Sequence, residues 1–282
     1  MQGTLDSMRL RCTEGAHLPV AVIYRASEPQ YAEGYQVLKQ EFLGKMNVDW
    51  IEETNFKNDL LALIEDPESR RGGLLGRFFG CRNAVRHPHV MFLVDDNIFI
   101  RGFSMRDVIR KLNGTPSAIG FSLRVGKNTT YCYSNRCDQP FPDFSDRGNG
   151  ILEFSWPGQA GDFGYPLEVS SSIYRSTDLA GFLRNLPYSN PNRLEQGLSV
   201  SSRLFARKLG RLLCFEHSVA FCAPVNKVQS ILDNRAGSAD EYSSEALNRL
   251  FLSGARIDVE KLNGFVPNAA HQEIELPLVK KG

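Results

Sequence analysis

The chain has 282 residues, of which 42% are hydrophobic and 23% are charged, and its formal net charge is +1 at pH 7. A chain of this length and composition buries a sizeable core without staples, and one large soluble domain is the expected organisation. The near-zero charge gives no electrostatic basis for binding nucleic acid.

The six cysteines include no CxxC pair, and no apolar run reaches the about 18 residues that a membrane span needs. The N-terminal segment also lacks the apolar core of a signal peptide. We therefore expect reduced structural thiols in a cytoplasmic protein that has no transmembrane segment. Peripheral contact with a membrane surface stays open.

The pattern of apolar residues divides the chain into a polar lead-in at 1–17 and a single domain at 18–282. Strands are predicted at 18–27, 48–54, 89–94 and 117–126. Between them, helical spacing predicts helices at 31–42, 56–64 and 105–112. This alternation predicts an α/β fold with a mostly parallel central sheet that is covered by helices on both faces.

The second half of the chain begins with a change of composition. Residues 127–166 are rich in Gly, Pro, Asn, Asp and aromatic residues, which is typical of long loops that bind substrates. A helix is predicted at 176–186, a strand at 212–224 and a helix after Pro224. A capping box formed by Ser238 and Glu241 predicts a last helix that ends at Gly254, and a loop-like tail follows it.

The most informative stretch is HVMFLVDDNIFIR, residues 89–101, in which an apolar run ends in Asp95, Asp96 and Asn97. Ligands of open α/β sheets bind beyond the carboxyl ends of the strands. Two carboxylates and an amide there supply oxygen ligands that suit Mg²⁺ or Mn²⁺ carrying a diphosphate. The alternative is that the two aspartates only cap a turn and pair with an arginine.

These residues resemble the signature of GT-A-fold glycosyltransferases. FLVDDNIF stands where that fold has an Asp-x-Asp-type motif, and the longer GCRNAVRHPHVMFLVDDN is similar to the inverting family-2 type. The resemblance covers residues 18–126, which it implies to be a nucleotide-sugar-binding half. Residues 127–282 would then hold the acceptor-binding half and the tail, and the fold would be GT-A-like, that is, Rossmann-like.

The resemblance implies a metal-dependent hexosyltransferase that moves a sugar from a nucleotide-sugar donor to a glycan or other hydroxyl acceptor. Asp95 would contact the donor diphosphate. Asn97 occupies the position of the metal-binding second aspartate, so Asp96 is the alternative ligand, and His271 in the tail is a further candidate. Mn²⁺ or Mg²⁺ is the expected cofactor.

The remaining candidates follow from the ends of the predicted strands and from the loops. Arg25 and Arg82 could meet phosphate and Glu53 could meet the base or ribose, although each could equally be a surface or capping residue. Inverting transfer needs a carboxylate base, for which Glu168 is slightly favoured over Asp162.

Two rival functions stay open. A nucleotidyltransferase uses the same carboxylate chemistry, but the loop YRASEPQY after the first strand lacks the glycine that such enzymes usually carry there. A non-catalytic nucleotide- or glycan-binding module of the same fold would explain the amide at residue 97.

Overall fold

A computed structural model describes residues 1–65, 85–224 and 243–280. The helices in these segments are α1 (Gln2–Arg11), α2 (Pro29–Phe42), α3 (Phe56–Ile64), α4 (Met105–Asn113), α5 (Ser176–Asn185), α6 (Pro191–Ser201) and α7 (Ser244–Leu252). The strands are β1 (Val20–Tyr24), β2 (Val48–Glu52), β3 (His89–Met91), β4 (Asn97–Phe99), β5 (Ala118–Ser122), β6 (Tyr131–Cys132), β7 (Cys137–Asp138), β8 (Ser145–Asp146), β9 (Ile151–Ser155), β10 (Ser172–Arg175), β11 (Arg211–Phe215), β12 (Ala220–Cys222), β13 (Ala255–Ile257) and β14 (Leu278–Lys280).

The predicted alternation of strands and helices over 18–126 is confirmed. The start of α4 shows the predicted cap, because the Ser104 hydroxyl accepts a hydrogen bond from the Asp107 amide at 3.3 Å. The strand that precedes the acidic residues is shorter than predicted, since only His89–Met91 joins a ladder. Residues 92–94 continue to the acidic turn outside any strand.

The segment expected to be a polar lead-in forms helix α1, whose residues 2–8 are buried. Its polar side chains find partners far along the chain. Ser7 Oγ accepts from the Phe99 amide at 3.0 Å, and Gln2 Oε1 accepts from the Ile257 amide at 2.9 Å. Distant backbone groups satisfy the hydrogen bonds of these polar side chains, so the side chains can be buried. The buried face of α1 therefore does not show as an apolar stripe in the sequence.

The expectation of a mostly parallel sheet is wrong. Among the described residues, the central sheet has six strands in the order β3-β10-β5-β11-β9-β8, of which only β5 and β11 pair in parallel. Strand β10 comes from the second half of the chain and inserts between β3 and β5, antiparallel to both. The parallel pair that the alternation predicts, β1 with β2, forms a separate two-stranded sheet.

Close contact at the centre of the sheet requires a glycine. A Cβ on Gly120 would lie 2.8 Å from the carbonyl oxygen of Ile173 and 2.8 Å from the ring of Tyr174, both in β10. The glycine at this position of β5 therefore permits β10 to pair so closely with it.

Helices cover both faces of the central sheet, as predicted. Side chains of α3, α5 and α6 pack with Tyr174 and Leu212 on one face. Side chains of α1, α2 and α4 pack with Ile173 and Leu213 on the other. Neighbouring residues of β10 and β11 thus point to opposite cores, as the two-residue period of a strand requires.

Several features of the second half differ from the prediction. Helix α6 was not predicted, and the strand expected at 212–224 is two strands, β11 and β12, that lie in different sheets. The last helix, α7, begins after Ser243, whose hydroxyl accepts from the Ala246 amide at 3.2 Å. The helix predicted after Pro224 and the capping box at Ser238 and Glu241 fall outside the described residues. Within the described ranges, no helix has the length and apolar character to cross a bilayer.

Candidate functional site

The acidic residues form a turn between β3 and β4. Asp95 is exposed, and its carbonyl oxygen accepts from Thr4 Oγ1 of α1 at 2.9 Å. Asn97 is fully buried: its Oδ1 accepts from the Val94 amide at 2.8 Å, and its Nδ2 donates to Cys222 Sγ at 3.2 Å. Both polar groups of Asn97 are engaged in the fold, which disfavours the metal ligation expected of it.

Three chain segments lie side by side at this turn. The Ala223 amide after β12 donates to the Asp96 carbonyl oxygen at 2.9 Å. Cys222 in β12 pairs in turn with the tail, donating to Ala270 and accepting from the Gln272 amide. The tail therefore runs beside β12, with His271 opposite Cys222. The role of His271 as a metal ligand stays a prediction. Burial and the charge of Arg124 lower the pKa of His271 to about 3, so its imidazole is neutral.

A buried arginine lies at the centre of the site. Arg124 follows β5 and is 2% exposed. Its Nε lies 3.6 Å from Glu168 Oε2, and its Nη1 lies 3.3 Å from Nε2 of His271. Burial alone would lower the pKa of Arg124, but the surrounding acidic groups, Glu168 first among them, together outweigh burial and raise it. The guanidinium thus stays charged and holds Glu168 in place.

More carboxylates surround this arginine than it can neutralise. Burial, followed by repulsion from Asp95, raises the pKa of Asp96 to about 6. Burial also raises the pKa values of Asp162 and Glu195. The positive charge of Arg124 acts against each of these three shifts. A cluster with excess carboxylate holds protons or attracts cations, because like charges in a buried site cannot all be ionised unaided.

Asp162 and Glu168, the predicted catalytic residues, are brought together in this cluster. Asp162 lies in a 3-10 turn at 161–164 and is held twice by Gln139, whose Nε2 donates to Asp162 Oδ2 at 3.1 Å and whose Oε1 accepts from the Asp162 amide at 2.9 Å. Glu168 Oε2 accepts from the Ser170 amide. Its Oε1 is buried and has no hydrogen-bond partner among the described residues.

The loop after Glu168 adopts a backbone conformation that few residues tolerate. Ser171 has a φ of 92°, and its amide donates to the Phe92 carbonyl oxygen at 2.8 Å. A non-glycine residue in that region costs about 1–3 kcal/mol and persists only where the surroundings enforce it. Here the hydrogen bond from Ser171 to Phe92 helps to hold the conformation. It also joins the loop of the catalytic candidate Glu168 to the segment that leads into the acidic turn.

A cavity of about 420 Å³ opens beside the acidic turn. Its lining includes Arg25, Asp95 and Asp96, together with Tyr31 and Tyr35 of α2. Burial and the Asp95 carboxylate raise the pKa of Tyr35 to about 12, so this phenol keeps its proton. Glu53 follows β2 and is not part of the lining, and Arg82 lies outside the described residues.

Few of the described side chains at this site could coordinate a metal ion. In the described part of the chain, no three His, Cys, Asp or Glu side chains come together as a metal site. However, Oδ1 of Asp96 is buried and has no hydrogen-bond partner among the described residues. Mg²⁺ is commonly bound by one or two carboxylates with the remaining positions filled by water and substrate phosphate, and Asp95 and Asp96 fit that pattern.

The sequence-based prediction missed Arg124 and Glu195. Arg124 was treated as part of a strand, although a single arginine at the end of an apolar run is the same kind of signal as the aspartates after β3. Glu195 lies on α6, which was not predicted. Its Oε1 accepts from the Val169 amide at 3.4 Å, which anchors α6 to the Glu168 loop.

Comparison with known proteins adds one relative. The chain is 24% identical over 262 residues to the protein named Bifunctional glycosyltransferase pgtA from Dictyostelium discoideum. The aligned region covers 86% of this chain but spans only 31% of the length of that relative. No family model matches the sequence.

Proposed function

We propose that this protein is a glycosyltransferase that moves a sugar from a nucleotide-sugar donor to a glycan or other hydroxyl acceptor. The observation that carries the proposal is the acidic turn, Asp95 and Asp96, at the edge of a cavity that also presents Arg25. The similarity to a glycosyltransferase over most of the chain supports the same class of reaction.

The cavity would bind the donor. Arg25 would contact phosphate, and Tyr31 and Tyr35 would pack against the nucleoside. Asp95 and Asp96 would hold Mn²⁺ or Mg²⁺ together with phosphate oxygens, and the cation when bound would neutralise charge on the departing diphosphate. Glu53 has no part in this arrangement, because it does not line the cavity.

The buried cluster would supply acid–base chemistry. Transfer requires a carboxylate that removes the proton from the acceptor hydroxyl as the sugar–phosphate bond breaks. Glu168 would be the base, since it pairs with Arg124 and its buried Oε1 has no hydrogen-bond partner among the described residues. Burial raises the pKa of Asp162, the alternative base. His271, being neutral, would help to position Arg124 and would add no charge.

The two candidate bases, Glu168 and Asp162, can be distinguished by the dependence of transfer activity on pH. A base must be deprotonated, so activity falls as the pH drops through its pKa. If Asp162 is the base, the acid limb of kcat/KM lies above the ordinary range of an aspartate, because burial raises its pKa. If Glu168→Gln still transfers sugar with an unchanged acid limb, the base is Asp162. If Asp162→Asn still transfers sugar with an unchanged acid limb, the base is Glu168.

Donor binding tests the proposal before any acceptor is known. Calorimetry with UDP-, GDP- and CMP-sugars, with and without Mn²⁺, should identify one donor class whose binding requires the cation. Asp96→Asn should weaken that binding at least about tenfold, because a charge-assisted contact is roughly twice as strong as a neutral one. Asp49→Asn is the matched control, since Asp49 is exposed on β2 and outside the cavity lining.

Two results would contradict the proposal. One is the absence of binding by all three donor classes in the folded wild-type protein. The other is equal affinity in Asp96→Asn and wild type. Binding without transfer to any hydroxyl acceptor would instead favour the non-catalytic binding module.

A further inference from the structure

We propose that Cys132 and Cys137 are a modification site at which a reversible intramolecular disulfide forms. The two residues are direct Cα partners across the β6–β7 hairpin. Residues that face each other in an antiparallel pair project from the same side with Cβ atoms about 4.5–5.5 Å apart. A disulfide needs a Cβ separation of about 3.5–4.5 Å, so a small closing of this short hairpin suffices. Both thiols are free in the structure.

The two cysteines differ in access, which sets the order of the chemistry. Cys137 is exposed, whereas Cys132 is 2% exposed. The Cys137 thiolate would attack a low-molecular-weight disulfide such as glutathione disulfide, forming a mixed disulfide and releasing one glutathione thiol. The Cys132 thiolate would then displace the second glutathione. Two protein thiols and one glutathione disulfide thus become one protein disulfide and two glutathione thiols.

This hairpin is attached directly to the candidate site. Gln139, the residue after β7, makes both hydrogen bonds that hold Asp162. Tyr133, the residue after β6, donates to Glu273, and its ring centroid lies 6.5 Å from that of His271. A Cβ on Gly161 would lie 3.3 Å from Cys132 Sγ, so this sulfur borders the turn that carries Asp162. The disulfide would therefore fasten the strand that positions Asp162.

The test uses the full-length reduced protein and glutathione disulfide, with acid quenching, intact mass measurement and peptide mapping. We expect the mass to fall by two hydrogen atoms and one peptide to link Cys132 with Cys137. Cys132→Ser should instead retain one glutathione on Cys137, and Cys137→Ser should form no such link. Cys12→Ser, which removes a buried thiol of α1's C-terminal cap, should behave as wild type.

Three results would overturn the proposal: thiols that stay unmodified, glutathione that stays on Cys137 of the wild type, or a disulfide that links either residue to another cysteine. Hydrogen exchange gives a second measurement, since amides of 130–139 should exchange more slowly after oxidation. Unchanged exchange in the oxidised protein would contradict the link to Asp162. None of these measurements requires transfer activity, so their failure is distinct from failure of the proposed function.

Discussion

Replacement of Arg124 by methionine tests whether the buried ion pair organises the site. The change keeps a long side chain but leaves the Glu168 carboxylate, 2% exposed, without its guanidinium partner. Removal of one partner from a buried ion pair costs about 3–5 kcal/mol, because an uncompensated charge is left in a medium of low dielectric constant. We expect the free energy of unfolding at pH 7 to fall by this amount in Arg124→Met.

The loss should depend on pH in a defined direction. Burial without a cationic partner favours the protonated form of a carboxyl group, so the folded variant takes up a proton more readily than the unfolded chain does. The stability of the variant therefore rises as the pH falls. The deficit of Arg124→Met relative to wild type should therefore shrink on acidification from pH 7 towards pH 5.

Urea unfolding of Arg124→Met, Glu168→Gln and the double variant measures the pair directly. The double variant should be more stable than the sum of the single losses predicts, by about 1–3 kcal/mol, as expected for residues in one buried network. Lys127→Met is the matched control, because Lys127 pairs with Glu216 at 2.8 Å on the surface and should contribute little. A stable Arg124→Met variant with no pH-dependent deficit would refute this account of the cluster.

Three further changes test separate parts of the structure by urea unfolding. Asn97→Asp should lower the free energy of unfolding by about 1–3 kcal/mol, because it replaces a satisfied buried amide with a carboxylate. This loss should grow as the pH rises and the new carboxyl group ionises. Unchanged stability together with tighter Mn²⁺ binding would restore residue 97 as a metal ligand. Wild-type stability should fall on acidification from about pH 6.5 to pH 3, since only the unfolded state protonates His271 there. His271→Gln should not show this fall. The same dependence of stability on pH in both proteins would show that another group titrates. Gly120→Ala should cost about 1–3 kcal/mol through overpacking against Ile173, and a neutral effect would mean that β10 shifts easily.

Local sequence patterns determined much of the first half of the chain. Apolar, β-branched runs and helical spacing locate β1, α2, β2 and α3, because these elements bury one continuous face and end at recognisable residues. The same patterns place Asp95 and Asp96 at the end of an apolar run. The resemblance to glycosyltransferases rests on those local features, and it agrees in reaction class with the relative found by comparison.

Tertiary structure alone decided the order of the sheet and the membership of the site. Strand β10 pairs between β3 and β5 through contacts with residues at least 50 positions away, which no local period encodes. Helix α1 is buried through hydrogen bonds from its polar side chains to distant backbone groups, so it resembles a solvated segment in the sequence. Arg124 becomes the centre of the cluster only when β5, the Glu168 loop and the tail converge on it, because burial and neighbouring charge are properties of the folded chain.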